Sequence, residues 1–446
     1  MSLPDNKSYE KKTSLSKDWY ERACRVFPGG INHNIRFFQP YPFFVQKAGG
    51  KYIYDVDGNA YVDYWMGHWA LILGHSPKEV QIHLVRQLHE GTIFGTANTT
   101  SVLLAELIQR SVPPAELIRF CSTGSEATMY AARLARAFTK KRKIVKIIGG
   151  WHGFNSNLMK SVNYPFEMDE GTGFIDTDSN LVESIPFNDL SQSLAIINGI
   201  KDDLACIIAE PILGTGAVPG DKDFLCGLRE YAKSNNVLFI SDEIVTGFRL
   251  SFGTMSDLYD LDPDLITLGK IVGGGLPIGV VCGREEIMRL SDPVVNKQKK
   301  DRCYIGGGTF SCNPLSMKAG LLTMTFLKNN KEKIYSTING LGEASRIKLK
   351  RIFEDSGVVV EVTGIGSLFQ VHFLNSNVKK ISNATDVAIA DQQKLNDYNL
   401  HLISDYGVFF LPTKMGAISF AHKLEDIESL LSATEDIINR EIFKEA

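Results

Sequence analysis

Short runs of apolar residues alternate with amphipathic segments between residues 76 and 320. Strands that are apolar on both faces belong to a mostly parallel sheet whose faces are covered by helices. The pattern therefore predicts an α/β fold with one central sheet flanked by helices. The runs are Leu117–Phe120, Ile144–Ile148, Leu204–Ala209, Val237–Ile240 and Leu265–Leu268.

Smaller elements are indicated before this region. Residues 1–27 are polar and charged, and they predict an arm or an irregular helix. Residues 52–64 alternate aromatic and β-branched side chains around the turn signal Asp57-Gly58, which predicts a β-hairpin. The motif SPKE at residues 76–79 is a capping box that begins a helix, with Val80, Leu84 and Leu88 on its apolar face.

The pattern changes again after residue 320. A helix is predicted from the 320s to the 350s, and the alternation over residues 369–373 predicts a half-exposed antiparallel strand. Residues 408–411 and 417–420 predict another strand pair, and residues 427–438 predict a C-terminal helix. We therefore expect three segments: an N-terminal arm and hairpin (1–75), a large α/β domain (76–320) and a smaller α+β domain (321–446).

Composition narrows the class of protein. The 446 residues are 44% hydrophobic and 22% charged, a globular balance that excludes a disordered, collagen-like or coiled-coil chain. The formal net charge of −3 lacks the basic excess of nucleic-acid-binding proteins, so no nucleic-acid partner is expected. The longest apolar stretch, residues 204–220, contains Glu210 and two prolines, so we expect no membrane span.

Cysteine and histidine usage bears on compartment and metals. The seven cysteines are odd in number, they form no CxxC pair, and the N-terminus has no signal-peptide pattern. We therefore expect reduced thiols and a cytoplasmic protein. No histidine stands in a metal-ligand spacing, so we expect no metal site.

Polar residues at two strand ends are the sharpest chemical signal. One apolar strand ends at Asp242, and another ends at Lys270, which is followed by Gly273–Gly275. Ligands of open α/β sheets bind at the carboxyl ends of strands, so both side chains could face one pocket. The alternative is that Asp242 caps a loop and Lys270 is a surface lysine. The glycines around Lys270 weigh against it, because they let another group approach the backbone.

A lysine and a carboxylate in one pocket suit an aldehyde cofactor. A lysine forms an exchangeable Schiff base with an aldehyde. Pyridoxal phosphate is such an aldehyde, and its ring nitrogen needs a carboxylate partner to stay protonated. Residues 120–126 supply a strand end, a small polar turn and the start of a helix, whose N–H groups and dipole bind phosphate well. An ordinary helix cap by Thr123 or Ser125 is the alternative.

The chain resembles the class III aminotransferases, which are fold-type I pyridoxal-phosphate enzymes, and it is most similar to their glutamate-1-semialdehyde aminomutase branch. The resemblance runs from about Pro28 to Asp436 and implies the fold-type I architecture. The combination of motifs is specific, whereas no single motif is. The motifs are PGGINHNIR, YDVDGNAYVDY, LILGHSP, STGSEAT, GGWHG, AEPILGTG, SDEIVTGFR, PDLITLGKIVGGGLPIG and GGGTFSCNPLSMKAG.

The resemblance implies a role for each matching residue. Lys270 resembles the Schiff-base lysine, and Asp242 resembles the partner of the pyridine nitrogen. Gly124 and Ser125 match the phosphate-binding residues. Thr309 matches a phosphate ligand donated by the neighbouring subunit, which implies a homodimer with shared active sites. The other matches surround the cofactor ring: Ile244 on one face, Trp151 on the other face in place of the usual tyrosine or phenylalanine, and Glu210 near the ring and its hydroxyl.

The resemblance also implies substrate residues. Arg36 ends a segment similar to the carboxylate-binding arm, and a guanidinium binds a carboxylate bidentately. A surface arginine stacked on the neighbouring phenylalanines is the alternative. Trp69 matches a tryptophan that lines the substrate pocket, and it could equally be a core residue. His152 is interpreted as a structural hydrogen-bonding residue.

Several positions depart from the pattern of the branch. His33 and His68 replace other residues beside the expected substrate pocket, and the loop at residues 412–417 is two residues shorter and lacks an acidic residue. These departures favour an aminotransferase that moves an amino group between an amino acid and a keto or aldehyde acceptor. The alternative is a glutamate-1-semialdehyde 2,1-aminomutase acting on an amino-aldehyde. A remote third hypothesis is a non-catalytic binding protein.

Overall fold

The computed structural model describes residues 6–175, 180–298, 300 and 302–440. Contacts divide the chain into two compact units. The terminal unit contains residues 1–77, 336–381 and 389–446, and the central unit contains residues 78–335 and 382–388. The division into three segments at residues 75 and 320 stays a prediction.

The strands of the described residues follow in chain order. They are β1 (Val45–Gly49), β2 (Tyr52–Asp55), β3 (Ala60–Asp63), β4 (Leu117–Cys121), β5 (Lys143–Ile147), β6 (Val182–Ile185), β7 (Leu204–Ala209), β8 (Ile212–Leu213), β9 (Val218–Pro219), β10 (Leu238–Asp242), β11 (Leu265–Gly269), β12 (Gly279–Gly283), β13 (Val360–Thr363), β14 (Leu368–Phe373), β15 (Val408–Phe409) and β16 (Gly416–Ala417).

The helices of the same residues complete the inventory. They are α1 (Asn6–Lys12), α2 (Ser14–Cys24), the single turn α3 (Met66–Trp69), α4 (Lys78–Glu90), α5 (Thr99–Gln109), α6 (Gly124–Thr139), α7 (Leu190–Asn198), α8 (Lys222–Ser234), α9 (Met255–Tyr259), α10 (Glu285–Met288), α11 (Pro314–Asn329), α12 (Lys331–Asp355), α13 (Ala384–Ile389), α14 (Gln392–Tyr406) and α15 (Leu424–Asn439).

The central unit is built on a sheet with the strand order β4-β12-β11-β10-β7-β5-β6. Strands β11, β10, β7, β5 and β6 are parallel neighbours, and β12 runs antiparallel to both β11 and β4. The predicted mostly parallel sheet is therefore confirmed, and the predicted apolar runs correspond to β4, β5, β7, β10 and β11. The pattern does not predict β6, which is short, or β12, which is bounded by glycines.

Helix α6 begins at the end of β4 and carries much of the apolar core of this unit. Thr123 caps it, because its side chain accepts from the Glu126 N–H while the Glu126 side chain accepts from the Thr123 N–H. This capping box fixes where the helix begins. The helix buries one face against the sheet, with Ala127, Tyr130, Ala131, Leu134 and Ala135 in the core.

The terminal unit confirms the predicted hairpin and corrects two other predictions. Strands β2 and β3 pair antiparallel around Asp57-Gly58. Residues 408–411 and 417–420 do not pair with each other, because β15 pairs with β3 and β16 pairs with β14. Strand β14 is not half exposed: its polar residues Gln370 and His372 are buried as well, and His372 Nε2 lies 2.9 Å from Thr363 Oγ1.

Helix α4 also differs from its predicted face. Val80 is buried, but Leu88 is 56% exposed, and Ile82 and Val85 are exposed as well. The helix therefore buries only part of its apolar surface within this chain. Among the described residues, no helix is long and apolar enough to cross a membrane.

Candidate active site

Neighbouring strand ends bring three charged residues to one edge of the central sheet. Asp242 ends β10, Glu210 directly follows β7, and Lys270 directly follows β11. These strands are adjacent and parallel, so their carboxyl ends meet at the same edge. The structure thus brings together Asp242 and Lys270, which the sequence singles out at two strand ends, and Glu210, which the resemblance places near the cofactor ring.

The carboxylate of Asp242 is buried and held on both oxygens. Its Oδ1 accepts from the Thr267 hydroxyl at 2.9 Å and from the Ile244 N–H at 3.2 Å. Its Oδ2 lies 2.7 Å from His152 Nδ1. These contacts fix the orientation of a carboxylate that is only 3% exposed.

His152 has a closer connection to the site than its sequence interpretation implies. Its ring is buried, and burial lowers its pKa while the hydrogen bond to Asp242 raises it. Its carbonyl accepts from the Thr128 hydroxyl at 2.6 Å, which anchors the loop to α6. Within the part of the chain that the structure describes, the buried Nε2 has no hydrogen-bond partner. The ring thus fixes the orientation of the Asp242 carboxylate, and burial favours its neutral form.

Thr267 is a second residue that sequence reasoning misses. It stands opposite Asp242 in the pairing of β10 with β11. The sequence does contain a signal that could have identified it, because Thr267 is the one polar side chain in the run LITL at residues 265–268. A lone hydroxyl in a fully buried strand needs a partner, and here the partner is Asp242.

Glu210 lies beside Asp242 and has an unusual proton affinity. Burial and the charge of Asp242 raise the pKa of Glu210 to about 8, and hydrogen bonds from backbone N–H groups partly oppose the shift. Those N–H groups belong to Trp151, at 2.9 Å, and Gly214, at 3.2 Å. Trp151 is 42% exposed, so part of its surface is open to a ligand.

Lys270 begins a short 3-10 segment, Lys270–Gly273, and adopts a left-handed φ of 45°. Such a conformation is uncommon for a residue with a side chain and often marks a functional site. Burial lowers the pKa of Lys270, whereas the charges of Asp242 and Glu210 raise it. Burial thus favours the neutral form of the amine, whereas the two carboxylates favour its charged form.

The turn before α6 has the form of an anion cradle, which we define as residues 122–126. Gly124 and Ser125 lie in the first helical turn, whose N–H groups have no acceptor within the helix. A Cβ on Gly124 would lie 2.6 Å from Ile244 Cδ1, so the cradle and Ile244 are in close contact. Thr123 is indeed a helix cap, and capping leaves these N–H groups available to an anion.

The loop after Trp151 packs against the cradle at Gly153. Gly153 has a φ of 84°, and a Cβ there would lie 2.2 Å from Ser125 Oγ and 2.6 Å from Ser125 Cα. Only glycine permits both the conformation and the approach. The Phe154 N–H donates to Ser125 Oγ at 3.3 Å, so this loop also orients the hydroxyl.

Another small polar turn, residues 306–311, also approaches the cradle. A Cβ on Gly308 would lie 3.3 Å from Glu126 Oε1 and 3.9 Å from Ser122 Oγ. Thr309 itself is exposed. Its donation to a neighbouring subunit therefore stays a prediction.

Arg36 and Trp69 lie in the terminal unit, and His33 and His68 connect their surroundings. Arg36 is exposed, and its charge acts with burial to lower the pKa of His33. The His33 ring lies 5.6 Å from that of His68, which lies 5.1 Å from the Trp69 ring. Trp69 is buried and donates from Nε1 to the Met415 carbonyl at 2.9 Å.

The residues of the central unit fit pyridoxal phosphate. The cradle offers the Gly124 and Ser125 N–H groups and the Ser125 hydroxyl to a phosphate, whereas the Ser122 and Thr123 N–H groups donate to the Glu126 carboxylate. Among the described residues, the buried Ser122 Oγ has no hydrogen-bond partner. Asp242 offers a fixed carboxylate, Trp151 an exposed indole, and Lys270 an amine. This donor set matches an aromatic aldehyde that carries a phosphate. The described residues contain no group of three or more metal-ligating side chains.

Comparisons with known proteins agree with this geometry. The family model described as aminotransferase class-III matches residues 36–438. The glutamate-1-semialdehyde 2,1-aminomutase of Methanobrevibacter smithii is 38% identical over 426 residues, which cover 94% of this chain and 97% of that protein. An omega-transaminase from Sphaerobacter thermophilus has a TM-score of 0.90 at 28% identity, covering 98% of this chain and 99% of that one. A transaminase with PLP bound has a TM-score of 0.87 at 29% identity, covering 96% of this chain and 98% of that one.

Proposed function

This chain belongs to the class-III aminotransferases, which are pyridoxal-phosphate enzymes of fold type I, and we propose that it is a glutamate-1-semialdehyde 2,1-aminomutase. The proposal means that donor and acceptor positions lie on one amino-aldehyde substrate. Its main support is the 38% identity to an aminomutase over nearly the whole of both chains. The sequence departures favour transfer between two molecules, and the relatives favour the intramolecular alternative instead.

The proposed chemistry needs both the cofactor and several side chains of this protein. Pyridoxal phosphate, when bound, supplies an aldehyde that condenses with amines and a ring that withdraws electrons from the adjacent carbon. We assign Lys270 as the amine that holds the cofactor and moves a proton at the substrate carbon. Its pKa, lowered by burial, favours the neutral form that a base needs.

Asp242 is assigned to the pyridine nitrogen. Its carboxylate is held by His152 and Thr267, so it would keep a proton at that nitrogen without having to reorient. We assign the phosphate to Gly124 and Ser125. Ile244 and Trp151 would enclose the ring. Glu210 would lie near the ring hydroxyl and would share a proton there, because its pKa of about 8 is close to neutrality.

We further propose a homodimer with shared active sites, in which Thr309 contributes to the phosphate site of the partner subunit. The proposal is supported by large apolar side chains of the central unit that this chain leaves exposed. Phe154, Tyr304 and Phe310 are 65–73% exposed, which is costly for a monomer in water. A cytoplasmic location is part of the same proposal, and it accords with all seven cysteines being free.

For the substrate, we propose that Arg36 binds a carboxylate and that Trp69 lines the pocket. A planar guanidinium fixes a carboxylate in one orientation, which would hold the reacting carbons in place. Arg36 is exposed and therefore accessible to a ligand.

Transamination between two molecules is the second candidate. It is favoured by the likeness to an omega-transaminase and by the short loop at residues 412–417, which lacks an acidic residue. An aminomutase must retain a doubly aminated, cationic intermediate, and an acidic residue would help to retain it.

The decisive experiment supplies glutamate-1-semialdehyde alone, and separately a panel of amino-acid donors with keto-acid acceptors. The aminomutase proposal predicts rapid formation of 5-aminolevulinate without an added donor. Slow isomerisation together with rapid intermolecular transfer would favour the second candidate. If the purified protein shows no yellow colour that borohydride bleaches, only the binding-protein hypothesis remains. Lys270→Ala is the control, and it should abolish either activity.

A further inference from the structure

The turn α3 is left-handed. Its residues Met66, Gly67, His68 and Trp69 have φ values of 45°, 57°, 66° and 64°, and only one of the four is a glycine. Left-handed backbone is unfavourable for residues with a side chain, because Cβ comes too close to the following carbonyl oxygen. Such residues persist only where surrounding contacts hold them, and they concentrate at functional sites. A run of three therefore needs contacts that hold it in place.

The carboxylate of Asp63 holds the start of this turn. Asp63 ends β3 and is buried, and its Oδ1 accepts from the N–H groups of Trp65 and Met66 at 2.8 and 3.0 Å. A side chain that accepts from N–H groups two and three residues ahead fixes the direction in which the chain leaves the strand. The turn also closes on itself, since the Trp69 N–H donates to the Trp65 carbonyl at 2.9 Å.

His75 holds the other oxygen of this carboxylate. Its Nε2 lies 2.7 Å from Asp63 Oδ2, and the ring donates there because a carboxylate only accepts. The backbone of His75 is itself fixed, since its N–H donates to the Gly50 carbonyl at 2.7 Å and its carbonyl accepts from the Gly50 N–H at 2.9 Å. The ring thus keeps Asp63 from rotating away from the turn.

The turn ends at Trp69, whose buried indole is held on its other side. Its Nε1 donates to the Met415 carbonyl at 2.9 Å, and its ring packs edge-on against that of Trp65, with centroids 4.9 Å apart. The His68 ring contacts both, with centroids 4.4 Å from Trp65 and 5.1 Å from Trp69. The place of this indole therefore depends on the backbone of the turn, which in turn depends on Asp63 and His75.

We propose that His75 is a positioning residue for substrate binding, which acts through Asp63 on the left-handed turn and thereby on the ring of Trp69. The inference rests on the proposed function, in which Trp69 lines the substrate pocket. A purely structural pair of His75 and Asp63 would stabilise the fold without a particular effect on Trp69. The two roles therefore differ in what a substitution of His75 changes.

Fluorine NMR of the holoenzyme labelled with 5-fluorotryptophan measures the positioning directly. The chain has four tryptophans, at positions 19, 65, 69 and 151, and replacing each with phenylalanine assigns its signal. His75→Ala should shift or broaden the signals of Trp65 and Trp69 and leave those of Trp19 and Trp151 unchanged. Unchanged signals of Trp65 and Trp69, or equal changes in all four, would overturn the proposal.

Steady-state kinetics with glutamate-1-semialdehyde measure the consequence for the substrate. His75→Ala should raise KM about tenfold, equivalent to about 1.4 kcal/mol of lost binding, with a smaller effect on kcat. In a Trp69→Phe background the same substitution should raise KM by about twofold or less, because residues that act through one another are not additive. Equal increases in both backgrounds would show that His75 does not act through Trp69.

Two variants guard against a general folding defect. His75→Gln keeps a side-chain donor for Asp63, so its NMR signals and KM should lie closer to the wild type than those of His75→Ala. His401 forms a similar pair with Asp405 within α14, at 3.2 Å and with the same 14% side-chain exposure as His75. His401→Ala is therefore the matched control and should change neither measurement. If the wild type does not convert glutamate-1-semialdehyde, the proposed function fails, whereas the NMR comparison still tests His75.

Discussion

Gly153→Ala is the sharpest test of the anion cradle, because the structure gives a definite geometric consequence. The new Cβ would lie 2.2 Å from Ser125 Oγ and 2.6 Å from Ser125 Cα. Rotation of the Ser125 side chain could relieve the first contact but not the second, which involves the backbone at the start of α6. Carbon atoms prefer separations of about 3.5–4.0 Å, so the loop or the helix end has to move by roughly 1 Å.

The size of the effect follows from two contributions. An alanine at the left-handed φ of 84° costs roughly 1–2 kcal/mol of folding free energy. Displacing the Ser125 hydroxyl from a phosphate removes a charge-assisted hydrogen bond worth about 1.5–3 kcal/mol. At about 1.4 kcal/mol for each factor of ten, the second contribution weakens binding of pyridoxal phosphate by about tenfold to a hundredfold.

The assay titrates the apoprotein with pyridoxal phosphate and follows the visible absorbance of the bound cofactor. Gly357→Ala is the matched control, because its φ is 74° and a Cβ there meets nothing within 4 Å. Both variants should lose thermal stability, but only Gly153→Ala should lose cofactor affinity. Wild-type affinity in Gly153→Ala would show that Ser125 does not bind the phosphate.

The remaining predictions concern the charged residues. Asp242→Asn should lower turnover by orders of magnitude with the cofactor still bound, and near-normal turnover would refute the assignment. His152→Ala removes the 2.7 Å contact to a buried carboxylate and should cost about 1–3 kcal/mol, measured as a drop in kcat more than in KM. The raised pKa of Glu210, about 8 against 4.5, means that the apoprotein loses stability as pH rises between these values. Glu210→Gln should therefore gain stability relative to wild type over this range, by at most about 1.4 kcal/mol per pH unit in chemical denaturation, and a constant difference would contradict the shift. Arg36→Ala should lower kcat/KM for carboxylate substrates by about tenfold or more and affect an uncharged amine much less, so equal losses would exclude a carboxylate clamp.

Much of the central sheet could be predicted because fully buried parallel strands are apolar throughout. The runs at β7, β10 and β11 are buried at every position, so their sequences carry a clear signal. Strand β12 is not predicted from the sequence, because a five-residue stretch bounded by glycines resembles a loop. The strand pairings after residue 400 fail for a different reason: β15 and β16 find partners far away in sequence, and local periodicity holds no information on distant partners.

The candidate site was predictable where chemistry and position coincide. Asp242 and Lys270 stand at strand ends, where ligands of α/β sheets bind, so their types and places agree. His152 shows the limit of this reasoning. A histidine in a loop has an ordinary structural explanation, and only its distance to Asp242 shows that it orients this carboxylate.

The antiparallel strand β12 acts as a spacer between the two ends of the candidate site. It separates β4, which leads into the anion cradle, from β11, which leads into Lys270, and Cys121, Gly279 and Gly269 stand side by side across the three strands. With neighbouring strands about 4.8 Å apart, the cradle and the lysine start from points roughly 10 Å apart. The width of β12 therefore sets the length of a molecule that can reach both the anion cradle and Lys270. A larger residue at Gly279, which lies beside the Thr123 carbonyl, would therefore change the distance between the cradle and Lys270 without touching a ligand.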